Sequence, residues 1–181
     1  VSRAGSAVDS VCEDFEQRPE LGCAVSINNI LHLSASLQSG LFDSVCISVL
    51  CKKYDKIAVL ELKNAFEQEQ VYEICEKIEA LEYMDKVIFI SFCYENLVFL
   101  REKYPNQAAQ FLVSKYSEDL IEKLQAHNLD LDIRHTALTE ENVKELKAAG
   151  ITINVWTVDD PADGERLAAW GVDYITTNIL E

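Results

Sequence analysis

The chain has 181 residues, nearly half of them apolar, and its 31 acidic side chains against 16 basic ones give a formal net charge of -15 at pH 7. This charge disfavours binding to nucleic acid or anionic lipid, because both interactions depend on Lys and Arg that neutralise phosphate. We find no long apolar run and no basic segment followed by an apolar one, so we predict one domain over residues 1–181 with neither membrane span nor signal peptide.

The cysteines are scattered along the chain rather than paired in CxxC motifs. A dense set of closely spaced cysteines would be typical of a small secreted domain, and CxxC pairs would be typical of a zinc site. We therefore predict reduced thiols and a cytoplasmic protein, without zinc. The residues concerned are Cys12, Cys23, Cys46, Cys51, Cys75 and Cys93.

The first 50 residues allow two interpretations. LGCAVSINNI (21–30) and SVCISVL (44–50) have the composition of short strands, whereas DSVCISVLCKKY (43–54) also fits the spacing of a helix that precedes the next strand. We treat residues 1–50 as an atypical N-terminal segment and expect it to have a structural role rather than a catalytic one.

From about residue 54, short β-rich apolar runs alternate with segments of helical spacing. VYEICEKIEALEYM (71–84) has helical periodicity, and TEENVKELKAAG (139–150) starts with a capping signal and ends at Gly150. The predicted strands are IAVLEL (57–62), VIFISF (87–92), AAQFLV (108–113), LDLDI (129–133), TINVWTV (152–158) and YITTN (174–178).

Strands of continuous hydrophobicity are buried on both faces, which indicates a parallel sheet covered by helices. An open doubly wound sheet and a closed barrel both satisfy this pattern. The lack of a Gly-rich loop such as GxGxxG or GxxxxGKS disfavours a dinucleotide-binding or P-loop fold. Units of about 20 to 30 residues favour a (β/α) TIM-barrel-like α/β fold, and a chain shorter than the usual ~250 residues predicts a truncated or atypical barrel.

Two charges end the strand IAVLELK. Glu61 and Lys63 would share one face at the carboxyl end of a parallel strand, where ligands bind in such folds. A carboxylate beside an ammonium suits a metal ion and a phosphate group, although a salt bridge at the strand end explains the same pair. Trp156 lies at the end of a later strand, where it fits either a ligand-binding site or the hydrophobic core.

Several motifs that occur in a fixed order bear on these alternatives. NVWTVDD (154–160) is followed by WGVDYITTN (170–178), and before them come Glu61-Leu62-Lys63, Ser91-Phe92 and LREKYP (100–105). Together these segments resemble the glycerophosphodiester phosphodiesterase family, whose fold is a (β/α) barrel. The resemblance extends from about residue 51 to the end of the chain, so we assign residues 51–181 to barrel units of this kind.

The resemblance implies an activity and a role for four residues. Glu61 corresponds to a ligand of a divalent cation, calcium or magnesium, and Lys63 to the catalytic lysine that approaches the phosphate. Trp156 and Phe92 correspond to aromatic walls of the glycerol pocket. The implied reaction is metal-assisted hydrolysis of a small glycerophosphodiester to glycerol 3-phosphate and an alcohol such as choline.

The family's opening motifs are missing from residues 1–50. Neither His-Arg-Gly, Glu-x-Asp nor His-Asp occurs there, and these motifs supply the proton-transferring histidines of the family. His32, in ILHLSAS, lacks the Arg and Gly that would follow it, and we predict a buried or helix-face histidine. We predict that His127 and His135 are loop or surface residues.

Three hypotheses follow. The chain is a phosphodiesterase of this family, or it is a catalytically inactive barrel remnant that acts as a binding or interaction module. The third is an unrelated doubly wound domain, in which Glu61 and Trp156 would lie on different faces. A truncated barrel has open edges, so we expect residues 1–50 or a second copy of the chain to cover them.

Overall fold

The computed structural model describes Ala24–Ser26, Ile30–Ala35 and residues 51–178. Its strands form one sheet in which they follow one another in sequence order. The first two strands are antiparallel, and each later pair of neighbours is parallel. The strands are β1 (Ala24–Ser26), β2 (Ile30–Ala35), β3 (Ile57–Leu62), β4 (Val87–Ser91), β5 (Ala109–Val113), β6 (Asp130–Arg134), β7 (Ile153–Trp156) and β8 (Tyr174–Ile175).

A helix follows each strand from β3 to β7. The helices are α1 (Gln68–Glu79), α2 (Tyr94–Lys103), α3 (Leu120–Ala126), α4 (Glu140–Ala148) and α5 (Pro161–Trp170), and short 3-10 helices cover Met84–Lys86 and His135–Ala137. Within the described part of the chain, no helix has the length and apolar character needed to cross a membrane.

The ends of α4 and α5 are encoded locally. Thr139 caps α4: its hydroxyl accepts from the Asn142 backbone N–H at 3.2 Å, and the Asn142 side chain accepts from the Thr139 N–H. The chain leaves α4 through Gly150 at a φ of 77°, a conformation that glycine adopts without strain. At α5, Asp160 caps a helix that starts with Pro161. The predicted capping signal and the predicted stop at Gly150 are both confirmed.

Alternate residues of the strands face two different cores. On β3, Leu60 and Leu62 belong to a large apolar cluster formed with the helices, whereas Val59 belongs to a small cluster with Ile90 and Leu112. Trp156, at the end of β7, packs against the small cluster. A flat sheet separates β3 from β7 by about 19 Å, since neighbouring strands lie about 4.8 Å apart. The sheet is therefore curled, with the small cluster on its inner face and the helices outside.

The predicted architecture is confirmed as a curled partial barrel of α/β type. All six predicted strands are present, with ends that differ by at most three residues, and IAVLEL matches β3 at both ends. Two stretches of the first 50 residues, β1 and β2, extend the sheet beyond β3, as expected for residues that cover an open edge. Residues 51–53 are helical, which favours the helical interpretation of the segment that ends there; residues 43–50 lie outside the described residues.

A buried asparagine connects α2 to the loop after β3. Asn96 is fully buried, and its side-chain oxygen accepts from the Phe66 N–H at 3.0 Å. Its amide nitrogen donates to the carbonyl oxygens of Leu62 and Asn64 at 3.3 and 2.7 Å, and to the Ser91 hydroxyl at 3.0 Å. These contacts hold the backbone on both sides of Lys63.

We expect Asn96→Ala to destabilise the fold by about 3 kcal/mol, because it leaves a buried N–H and buried carbonyl groups without partners. Urea unfolding followed by circular dichroism measures the change. Asn106→Ala, at an exposed position in the turn before β5, serves as the control and should change stability by less than about 0.5 kcal/mol. Equal stability of the two variants would contradict this role of Asn96.

None of the described cysteines forms a disulfide bond, and they differ in burial. Cys51 and Cys75 are buried, whereas Cys93 is partly exposed. Burial raises the pKa of the Cys75 thiol from 9.0 to about 12. The folded chain therefore retains between pH 9 and pH 12 a proton that the unfolded chain loses, and this part of the stability decreases as the pH rises through that range.

We expect iodoacetamide at pH 9 to alkylate Cys93 in the native chain and to spare Cys75, since the thiolate is the reactive form. In guanidinium chloride both residues should react. Peptide mass mapping at successive times measures the two rates, and rapid native labelling of Cys75 would contradict its burial.

Candidate functional site

The predicted charges Glu61 and Lys63 lie at the carboxyl end of β3. Glu61 is two residues beyond Val59, so strand alternation directs its side chain to the inner face, where it is partly buried. Lys63 directly follows the strand and is exposed. The inner face therefore carries a carboxylate at its carboxyl-end rim, with an ammonium group in the loop that begins there.

Two aromatic residues meet at the same rim. Trp156 ends β7, Phe92 directly follows β4, and their ring centroids lie 5.8 Å apart in an edge-to-face arrangement. Phe92 is 48% exposed. The Arg134 guanidinium, at the end of β6, lies 5.2 Å from the Trp156 ring centroid. The structure thus brings together the two aromatic residues that the sequence singled out, and it adds an arginine that the sequence pattern did not indicate.

A buried carboxyl group on β6 is the most unusual feature of the inner face. Asp132 is 1% exposed and pairs in register with Leu112, a member of the inner cluster. Its Oδ1 has no hydrogen-bond partner among the described residues. Burial, and secondly the negative charge of Glu61, raise the pKa of Asp132 from 3.8 to about 8. Glu61 and Asp132 both face the interior of the curled sheet, on strands that β4 and β5 separate.

Below this rim, nearer the amino ends of the strands, the inner face carries three polar side chains that hydrogen bonds join. The Asn154 amide donates to Gln110 Oε1 at 3.2 Å, and Asn154 Oδ1 accepts from the Thr176 hydroxyl at 3.4 Å. Gln110 and Asn154 are buried. The sequence analysis missed Asp132, Gln110 and Asn154, although a polar residue inside an otherwise apolar, doubly buried strand was the available signal.

Ser91, the first residue of the Ser91-Phe92 pair, has a structural role. Ser91 is fully buried, and its hydroxyl donates to the Leu62 carbonyl at 2.6 Å. The same oxygen accepts from the Cys93 N–H at 3.0 Å. Ser91 therefore joins the end of β3 to the end of β4, and this contact fixes the segment from which Phe92 projects.

The histidines lie in three different places. His32 is on β2, in register with Val59, so the helix-face alternative was wrong; its side chain lies outside the described residues. His127 follows α3 and packs edge-on against Tyr94, at the opposite end of the sheet from the rim. His135 follows β6 at the rim, but its side chain is only 15% exposed and its Nδ1 lies 3.9 Å from Asp163 Oδ2. His127 and His135 thus lie in the connections before and after β6, in agreement with the predicted loop positions.

The rim offers few side chains that could bind a metal ion. Among residues 51–178, no group of three or more His, Cys, Asp or Glu side chains has an arrangement that could hold a metal ion. The carboxyl groups of Glu61 and Asp132 are the acidic pair of the inner face described above. Oxygen donors of this kind are the ligands that calcium and magnesium prefer.

Comparison with known proteins gives a consistent result. The chain is 31% identical over 98 residues to a glycerophosphodiester phosphodiesterase of Bacillus subtilis, a match that covers 51% of this chain and 33% of the relative. The putative glycerophosphoryl diester phosphodiesterase of Silicibacter pomeroyi superposes with a TM-score of 0.66 at 21% identity, over 75% of this chain and 52% of that structure.

Two further structures share the fold. A phosphodiesterase of Oleispira antarctica in complex with the product sn-glycerol-3-phosphate has a TM-score of 0.66 at 24% identity, over 74% of this chain and 55% of that one. A glycerophosphodiester phosphodiesterase of Parabacteroides distasonis has a TM-score of 0.63 at 25% identity, over 75% and 58%. The chain spans about half the length of these structures and a third of its curated relative.

The model of the glycerophosphoryl diester phosphodiesterase family matches residues 43–181, which is well over half of the chain. With the curled sheet and the rim residues described above, this match establishes that the chain belongs to the glycerophosphoryl diester phosphodiesterase family.

Proposed function

We propose that the rim of the inner face binds a small glycerophosphodiester and hydrolyses it to glycerol 3-phosphate and an alcohol such as choline. The observation that carries this proposal is the common location of Glu61, Lys63, Phe92 and Trp156, which come from three strand ends. The product bound to the Oleispira antarctica relative, sn-glycerol-3-phosphate, supports the choice of substrate class.

In the proposed reaction, the side chains have distinct tasks. The ammonium of Lys63 offsets negative charge that develops on the phosphoryl oxygens. The edge-to-face pair of Phe92 and Trp156 offers an apolar wall to the carbon skeleton of glycerol. Arg134 packs on the Trp156 ring and limits its movement.

A divalent cation, calcium or magnesium, suits the residues at the rim. Glu61 supplies hard oxygen donors at the end of β3, and the buried carboxyl group of Asp132 lies on the same inner face. When bound, such a cation would polarise a phosphoryl oxygen and favour attack at phosphorus. We therefore assign Glu61 to metal binding and Lys63 to the phosphate.

The proposal also covers the cellular location of the protein and its association with a second copy. Cys51, Cys75 and Cys93 form no disulfide bonds, which supports a cytoplasmic location. We also propose that a second copy of the chain can cover the open edges of the sheet, because unpaired strand edges favour association.

Glu61→Gln should reduce metal-dependent hydrolysis of glycerophosphocholine by about 100-fold or more, because it removes a charged ligand and keeps the shape of the side chain. Release of glycerol 3-phosphate at saturating calcium or magnesium measures the rate. Glu82→Gln, an exposed position at the opposite end of the sheet, is the matched control and should retain the full rate. No turnover by the unmodified chain would reject the hydrolase and favour the binding-module alternative.

Trp156→Ala should weaken binding of glycerol 3-phosphate about tenfold, whereas Trp156→Phe should retain most of it, because Phe preserves an aromatic wall. Isothermal titration calorimetry measures the affinity. Trp170→Phe is the control, since Trp170 ends α5 and stacks against Arg166. Unchanged affinity in Trp156→Ala would exclude Trp156 from the glycerol pocket.

A further inference from the structure

The loop that begins with Lys63 has no regular secondary structure of its own. Residues 63–67 connect β3 with α1 and form neither helix nor strand. Lys63 is exposed, and its side chain is long and flexible, so the region that its ammonium can reach is set by the backbone from which it extends. The backbone groups of such a loop need hydrogen-bond partners from other parts of the chain. The position of the Lys63 ammonium therefore depends on the contacts that hold this loop.

The side chain of Asn96, on α2, holds the backbone on both sides of Lys63. Its Nδ2 donates to the carbonyl oxygens of Leu62 and Asn64, at 3.3 and 2.7 Å. Its Oδ1 accepts from the Phe66 N–H at 3.0 Å. A primary amide offers two donor hydrogens and an acceptor, whereas a hydroxyl or carboxyl group of similar size offers at most one donor hydrogen. Asparagine is therefore matched to two carbonyl groups and one N–H.

The same amide is also bonded to the end of β4. Asn96 Nδ2 donates to the Ser91 hydroxyl at 3.0 Å, and this hydroxyl donates to the Leu62 carbonyl at 2.6 Å. Phe92 directly follows Ser91, so the backbone segments of Lys63 and Phe92 belong to one hydrogen-bond network. Asn96 is fully buried, and it acts on the rim through these neighbours.

We propose that Asn96 is a positioning residue for phosphodiester hydrolysis: it fixes the backbone from which Lys63 extends, and so sets the position of the ammonium relative to the phosphate. This inference rests on the proposed function and extends it to a buried residue behind the groups that meet the substrate. A charged group misplaced by about 1 Å can cost about 100-fold in rate, because the charge that develops in the transition state is no longer met at the right distance. The expected loss is therefore in kcat rather than in KM.

Hydrolysis of glycerophosphocholine by the full chain tests this role. Asn96→Ala should lower kcat at least about tenfold and change KM by less than about threefold, because the interaction that it disturbs strengthens in the transition state. Circular dichroism checks that each variant is folded at the assay temperature.

Arg101→Met is the matched control, because Arg101 lies on the same helix and also binds backbone carbonyl groups. Its guanidinium donates to the His127 and Asn128 carbonyls at 3.0 and 2.6 Å, at the opposite end of the sheet from the rim. Arg101→Met should lower the melting temperature, as Asn96→Ala does, but it should leave kcat unchanged.

A double-mutant cycle distinguishes positioning of Lys63 from a general structural role. In a chain that already carries Lys63→Ala, the addition of Asn96→Ala should lower kcat by less than about twofold, because the group through which Asn96 acts is gone. A fall in kcat by the same factor with and without Lys63 would overturn the inference, and so would an unchanged kcat in folded Asn96→Ala. If Asn96→Ala does not fold, Asn96→Leu replaces it in both backgrounds, because leucine fills the same space without polar groups.

Affinity for glycerol 3-phosphate separates this inference from the proposed function. No turnover by the unmodified chain would reject the hydrolase, and isothermal titration calorimetry would then supply the same cycle. Binding that is weakened about fivefold by Asn96→Ala, but not weakened further by it in Lys63→Ala, would uphold the positioning role, since a loop that is not held must be ordered on binding. Equal affinity of Asn96→Ala and the unmodified chain, or no binding by the unmodified chain, would overturn it.

Discussion

Burial of a parallel sheet on both faces is the constraint on which the rest of this structure depends. Each strand must present apolar residues to the helices outside and acceptable residues to the curled interior, and a shift of one residue would exchange the two sets. On β3, Leu60 and Leu62 face outward, whereas Val59 and Glu61 face inward. The register that buries the outer core therefore also directs Glu61 to the inner rim.

Most of the fold could be predicted because the sequence patterns that indicate strands and helix ends are local. Apolar runs identified all six strands from β3 onward, and the capping residues of α4 identified both of its ends. The location of Glu61, Phe92 and Trp156 could also be predicted, since the carboxyl ends of parallel strands share one edge of the sheet. What local patterns do not contain is the distance between residues on different strands.

The residues that were missed depend on such distances. Asn96 looks like an ordinary polar position in α2, yet it binds three backbone groups around the end of β3. Asp132 stands two residues after Asp130 in LDLDI, and periodicity cannot show that Asp132 is buried on the inner face while Asp130 accepts from the Thr152 N–H. Their contacts with the neighbouring strands distinguish these two residues.

The two faces of the sheet divide stability from chemistry. The outer core contains most of the buried apolar side chains and accounts for most of the hydrophobic stabilisation, which scales with apolar area removed from water. Among the residues whose side chains are described, the inner cluster has three buried apolar members, Val59, Ile90 and Leu112. An inner face that contributes little to folding can carry polar groups such as Asp132 and Glu61, whose burial would be too costly for a core that had to hold the fold together. The large outer core, supported by Asn96 and Ser91 at the strand ends, thus offsets the cost of burying Asp132 on the inner face.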